Sequence, residues 1–535
     1  MRKGIRSPAP LMLFAARLTH GPMARKSCLS LLRALAVSLV LTLAAGCGRG
    51  DNSALEIAII GSSEGMFEDG TRLPSAGQHL RAATAEGLVT LNAEGHVIPA
   101  LADRWIVTDD GRSYIFRLRS GTWSDGTELT ADRAAYSLRG LVRQLRGTSM
   151  GHDLSQIDEI RAMAGRVVEI RLKGPMPDFL QLLAQPELGL RREEAGAGPM
   201  SMRRVGDAAV LSMMSPERRG LPITEGWQNY VRELRVHALS AADAIERFDE
   251  GSVDLVLNGR IQDLPLADTG PLSRGTVRLD PAIGLFGLMV ARAEGFLAEA
   301  PGREAVSMAI DRDAMIAPFN VGGWNPTTRI VSPGMTADLG TIGERWQNMT
   351  LAQRRLAASQ RVAAWRNANA ASAASEEAGE QADQGRAGRP AVELSVELPP
   401  GPGSELLFTR LAEDLAAIGI TLRRAEGDMP ADLVLIDRAA RYASALWFLN
   451  QFHCSLGRGL CSSEADARVD EAMATADPAE RAALLAEAEA ELTQANVFIP
   501  FGQPVRFSLV RSDITGYAAN QWVFHPLPDL ATIPR

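Results

Sequence analysis

Residues 86–130 read EGLVTLNAEGHVIPALADRWIVTDDGRSYIFRLRSGTWSDGTELT, and this stretch decides the fold. Two apolar segments, Glu86 to Asn92 and Val97 to Leu101, flank Ala93-Glu94-Gly95, which reads as a turn. Trp105 to Val107 and Ser113 to Leu118 alternate apolar and polar residues around Asp109-Asp110-Gly111, so they read as a hairpin. Thr122 to Leu129 carries a further turn at Asp125-Gly126. Asp-Gly pairs suit tight turns because glycine takes backbone angles that other residues resist. Thr130 is placed to cap a helix from Ala131 to about Arg146, with Tyr136, Leu138, Leu141 and Leu145 as its apolar face.

Outward from this stretch, strands and helices alternate. Leu55 to Ile60 reads as a buried strand, as do Val167 to Leu172 and Val231 to Leu239. A short helix from Ala241 to Glu250 precedes the strand Val253 to Leu257. Ala305 to Ile316 reads as a helix, and Ala391 to Leu398 as a strand. Asp477-Pro478-Ala479-Glu480 joins a capping acid, a first-turn proline and a third-position acid, so a helix should run from there to about Gln494. Val497 to Phe501 and Arg506 to Val510 close the chain as strands. The alternation indicates α/β lobes. Residues 368–389, rich in Ala, Glu, Gln and Gly without an apolar period, read as a flexible surface insertion.

The whole chain has 535 residues, enough for two to four domains or lobes. At 46% hydrophobic and 22% charged it is neither a disordered chain nor a polytopic membrane protein. Its net charge of −8 argues against a nucleic-acid surface. The charge is unevenly spread: the first 46 residues hold seven basic residues and no acid.

Ala34 to Ala45 is an apolar run of 12 residues behind that basic segment. A membrane-spanning helix needs about 20, so the run reads as the core of a secretory signal. Leu43-Ala44-Ala45-Gly46-Cys47 resembles a bacterial lipobox, which implies lipidation of Cys47 and residues 1–46 as a signal peptide. Met23 is a second candidate start, and plain secretion is the alternative. Cys28 lies in the signal. Cys454 and Cys461, separated by SLGRGL, read as a disulfide in an exported chain, with two free thiols as the alternative.

Chemistry motifs are sparse. Gly61-Ser62-Ser63-Glu64-Gly65 matches G-x-S-x-G after a strand. A nucleophile elbow needs a helix directly after the serine, and here a loop leads to Pro74. A hydrolase acting through Ser63 is therefore a remote alternative. The histidines His79, His96, His152, His237, His453 and His525 are scattered, and no phosphate or dinucleotide loop is visible. No catalytic residue, metal or cofactor is expected.

Several stretches together resemble the bacterial extracellular solute-binding proteins of family 5, the peptide-, dipeptide- and nickel-binding components of ABC importers. They are Glu86-Gly87-Leu88, Pro99-Ala100-Leu101-Ala102 with Trp105, the two Asp-Gly hairpins, Gly196-Ala197-Gly198-Pro199, Arg303-Glu304-Ala305 with Ala309-Ile310-Asp311-Arg312, Phe498 to Phe501, and Gly516-Tyr517. The resemblance implies an α/β, two-lobed periplasmic-binding-protein-like fold of the large, three-subdomain type II form. Lobe I would combine 47–92, 191–276 and 496–535, a family-specific subdomain would span 93–190, and lobe II 277–495. Ligand would sit in the interlobe cleft. Trp105, Tyr114 and Trp123 are expected in the core.

Peptide-binding members carry W-x-A-D-Y-P-D-P after the strand equivalent to Leu433 to Ile436, and its first aspartate pairs with the peptide amino terminus. Here Ala440 takes that aspartate's place and Asp437 the tryptophan's. An unpaired ammonium in a dry cleft costs several kcal/mol. Arg438 and Arg441 instead favour an anionic group, unless they are paired within the protein. Asp437 could still receive an amine if the alignment slips. The expected ligand contacts are Asp437, Arg438, Arg441, Tyr442 and Trp447 from one lobe, with Glu64 and Gln78 from the other. The expected function is a monomeric, lipid-anchored substrate-binding protein that passes a small peptide-like or anionic solute to ABC permease subunits. A ligand sensor or protein-interaction module on the same fold is the alternative.

Overall fold

The computed structural model describes residues 54–534 except 69, 164, 194, 268–274, 378–390, 426 and 428. The signal segment, Cys28 and the lipidation site Cys47 lie outside the described residues.

Residues 86–130 fold as their pattern predicts. Ala102–Val107 and Ser113–Leu118 form an antiparallel hairpin. Gly111 (φ +66°) and Gly126 (φ +84°) hold the left-handed positions of the two Asp-Gly turns. Val167–Leu172 and Ile157–Ala162 extend the hairpin to four strands. Tyr114 and Trp123 are buried, and Trp105 is partly buried against Phe116. Glu86 forms a buried ion pair with Arg119 at 2.7 Å, and Arg119 Nε donates to Ala100 O at 2.9 Å. The glutamate of the Glu86-Gly87-Leu88 motif is thus a structural tie between the two hairpins.

Thr130 caps the helix Ala131–Gln144 by accepting from the Arg133 N–H, a contact worth about 1 kcal/mol. Leu138 and Leu141 face the core, but Tyr136 is 70% exposed and is not part of the apolar face. It lies only two positions from Leu138, about 200° around the helix.

Two larger sheets carry the lobes. The seven-stranded sheet runs in the order Met200–Val205, Ala208–Met213, Leu234–Leu239, Leu55–Ile60, Leu255–Arg260, Arg506–Val510, Val277–Asp280. The five-stranded sheet runs Ile420–Arg424, Val392–Glu397, Leu433–Ala439, Gly284–Val290, Phe498–Gly502. The chain therefore passes between sheets twice, after Asp280 and after Gly502. Both crossings fall later than the expected lobe limits at 276 and 495. Val277–Asp280 pairs with Arg506–Val510, and Phe498–Gly502 pairs with Gly284–Val290. Hydrogen-bonded pairing, which composition does not reveal, sets where the chain changes sheet.

Two helices differ from the expected pattern. The expected helix from Ala305 to Ile316 is two helices, Ala300–Ala309 and Arg312–Ile316. Asp311 caps the second by accepting from the Ala314 N–H, which breaks the run. The helix Leu351–Glu377 continues into the stretch expected to be a flexible insertion, where its Ala and Glu residues are good helix formers. The rest of that stretch lies outside the described residues. The helix Pro478–Ala495 begins as expected, with Asp477 accepting from the Ala479 and Glu480 N–H groups.

The family motifs of the second lobe are also structural. Arg303 is buried and donates to the carbonyls of Leu297, Ala298 and Ala495. Arg312 is buried and donates to Pro500 O at 2.8 Å. Both guanidiniums satisfy carbonyls that would otherwise be buried without donors.

Candidate functional site

A cavity of about 1000 Å³ lies where the two large sheets and the four-stranded subdomain meet. One wall is the start of the helix Ser75–Thr84, with Gln78 and His79, and the end of the strand Leu255–Arg260. The other wall is the end of the strand Leu433–Ala439 and the turn after it. Asp153, Gln185 and Glu187 enter from the subdomain, and Trp522 and Phe524 from the C-terminal segment. A loop closed by the Cys454–Cys461 disulfide adds Leu456 and Arg458.

Gln78, Asp437, Arg438, Arg441 and Trp447 all line this cavity. Tyr442 and Glu64 do not. Tyr442 is fully buried beside the Asp153 carboxyl, in the bend that follows the strand Leu433–Ala439. Glu64 is exposed on the turn after the strand Leu55–Ile60, where its N–H donates to Ser62 Oγ at 3.0 Å. Ser63 sits in the same exposed turn, and the next helix begins only at Ser75.

Asp437 is already engaged. Arg506 Nη1 donates to its two carboxylate oxygens at 2.7 and 2.9 Å, and both side chains are almost fully buried. That pairing removes Asp437 as a receptor for a ligand amine. Ala440 is buried on the cavity wall and offers no charge.

Arg441 reaches across the cavity. Its guanidinium donates to Gln185 Oε1 at 3.1 Å, Gln78 Oε1 at 3.2 Å and Glu187 Oε1 at 3.1 Å. It is therefore paired within the protein, as a link from the second lobe to the first lobe and the subdomain. Arg438 is different. It donates to the neutral Gln451 Oε1 at 3.0 Å and has no carboxylate partner among the described residues. Burial pushes its guanidinium down to about 10, and Arg458, Arg260 and Arg441 repel its charge further.

Four more groups tune the wall. Burial drives the His79 imidazole down to about 4. Its ring stacks on Phe524, with centroids 4.7 Å apart, and Nδ1 lies 2.8 Å from Ser75 O. Burial lifts the Asp153 carboxyl to about 7, against a 2.7 Å hydrogen bond from Asn450 Nδ2. The guanidiniums of Arg260 and Arg458 are lowered by burial and by neighbouring cations.

Arg72, His79, Asp153, Glu187, Arg260, Arg458 and Arg506 were not legible as site residues. They come from six separate segments, and apart from Arg458 no local pattern marks them. Arg458 had one available signal, its place inside the short SLGRGL loop between the two cysteines.

This architecture, two α/β lobes crossed twice by the chain around a polar cavity, is that of a two-lobed binding protein. Residues 96–202 match the family model described as bacterial extracellular solute-binding proteins, family 5 middle. The chain is 35% identical to a probable deoxycholate-binding periplasmic protein of Escherichia coli K12, over 19% of this chain and 23% of that protein. It is 24% identical to the probable di/tripeptide-binding protein 5 of Pseudomonas aeruginosa, over 80% of this chain and 85% of that one. The matches span less than half the length of the first curated relatives, 23% and 48%. The solved structure of Haemophilus influenzae OppA in complex with RPPGFSPFR superposes with a TM-score of 0.73 at 18% identity, over 90% of this chain and 99% of that chain. The family match thus covers residues 96–202, and the likeness in fold extends over 90% of the chain. No helix among the described residues is long and apolar enough to cross a membrane.

Proposed function

We propose that this chain is the substrate-binding component of an ABC importer, held by a lipid on Cys47 at the periplasmic face of a bacterial membrane. It binds a small polar solute reversibly, performs no chemistry, and delivers the solute to permease subunits as a monomer. The observation that carries the ligand class is Arg438: a cationic side chain on the cavity wall with a neutral amide as its hydrogen-bond partner. Guanidinium matches carboxylate and phosphate through paired donors. The ligand thus brings an anionic group, and the family's usual amine contact is replaced by Ala440. The relative named for binding deoxycholate, an organic anion, is consistent with this reading.

The test is a thermal-shift panel of short peptides, opine-like amino-acid conjugates, oligosaccharides and chelated nickel. A ligand at 100 times its dissociation constant stabilises the fold by about 2.7 kcal/mol. A saturable shift with anionic conjugates, lost in Arg438→Gln, supports the reading. An equal shift with ordinary peptides in both proteins overturns it. Metabolic labelling with radioactive palmitate, compared with Cys47→Ala, tests the anchor.

A further inference from the structure

Six arginines line the cavity: Arg72, Arg260, Arg438, Arg441, Arg458 and Arg506. The acids on the same wall are Asp153, Glu187, Glu397 and Asp437. Asp437 is taken by Arg506 and Glu187 by Arg441. Asp153 is buried and hydrogen-bonded to Asn450, so it holds its proton to near neutrality and offsets little positive charge. Glu397 is exposed. Arg260 has Asp263 and Asp437 near it.

Arg72, Arg438 and Arg458 remain. Among the described residues none of the three has a carboxylate within ion-pair distance, and Nη1 of Arg458 is buried without an acceptor. Like charges on a half-buried wall repel more strongly than in water, because the protein screens them less. One monovalent anion would neutralise one of these guanidiniums and leave the others opposed. The cavity is also too large for an inorganic ion; about 1000 Å³ is the volume of a site for an organic molecule.

We infer that the ligand is an organic polyanion, with at least two negative charges carried as carboxylate or phosphate and received by Arg438 and Arg458. This rests on the reading of the cavity as the ligand site. The disulfide loop then has a defined role: it holds Arg458 at the wall facing Arg438 as part of the anion receptor.

The experiment titrates the purified full-length chain with butyrate, glutarate and tricarballylate at one fixed ionic strength, and reads affinity from the thermal shift. Glycerol 3-phosphate is a fourth arm that separates phosphate from carboxylate. The expected result is at least tenfold tighter binding of glutarate or glycerol 3-phosphate than of butyrate. That difference disappears in Arg438→Gln and in Arg458→Gln and persists in Arg104→Gln, an exposed control on the four-stranded sheet. Equal binding of butyrate and the polyanions overturns the polyanion inference and leaves the anion site standing. A graded response that survives both cavity substitutions also overturns it. No shift with any anion, while neutral ligands bind, overturns both readings.

Discussion

Arg506 and Asp437 join the two large sheets: the first residue of the strand Arg506–Val510 donates to a carboxylate near the end of the strand Leu433–Ala439. A third bond runs from Arg506 Nη2 to the Asp437 carbonyl at 3.1 Å. Arg506 follows the second chain crossing closely, so the join between the two sheets and the cavity wall depend on the same two side chains. Removing one member of a buried pair strands the other charge, at a cost of about 3–5 kcal/mol. Arg506→Gln is expected to lose stability of that order in urea unfolding, and Asp437→Asn to lose similar stability. A loss under 1 kcal/mol in both would mean that the pair is not buried in solution.

Asp153 makes stability depend on pH. An aspartate in an unfolded chain ionises near pH 3.9, whereas folded Asp153 holds its proton to about 7. Between those values the native state binds more protons, so its unfolding free energy falls as pH rises. Above about 7 the loss is complete. His79 acts in the opposite direction: its imidazole is driven down to about 4, so its contribution is lost as pH falls from about 6.5 toward 4. The clean comparison is therefore Asp153→Asn against the wild type at each pH. The variant keeps an oxygen for Asn450. It is expected to match the wild type at pH 4 and to exceed it at pH 8 by up to about 4 kcal/mol, at 1.4 per pKa unit. An unchanged difference across pH 4–8 would show that Asp153 ionises normally.

The Cys454–Cys461 bond closes a short loop. In the chain-entropy model such a loop contributes roughly 2.5 kcal/mol. The double variant Cys454→Ser/Cys461→Ser is expected to lose that much in chemical unfolding. Its ligand affinity should also fall, because Leu456 and Arg458 are then held less firmly on the cavity wall. Full affinity in the double variant would separate the loop from binding.

Ser63 is expected to be unreactive. It lies in an exposed turn, without the helix that a nucleophile elbow requires. A fluorophosphonate probe should leave the chain unlabelled, and Ser63→Ala should bind ligand as the wild type does. Stoichiometric labelling lost in Ser63→Ala would reopen the hydrolase alternative.

Local patterns in the sequence determined the elements and much of their order. The Asp-Gly hairpins, the caps at Thr130 and Asp477, and the strand Leu55–Ile60 depend on contacts within a few residues, and such contacts are visible in a short window. Of the ligand contacts expected from sequence, Gln78, Asp437, Arg438, Arg441 and Trp447 lie on the cavity wall, and Tyr442 and Glu64 do not. What each charge does there was decided only by tertiary structure. Asp437 and Arg441 found partners 69 and 254 residues away, while Arg438 found only an amide. The points where the chain crosses between the two large sheets were decided the same way, since strand pairing at Val277–Asp280 and Phe498–Gly502 is a long-range event. A charged side chain's role follows from its nearest opposite charge, and in this protein those neighbours come from segments far apart in the chain.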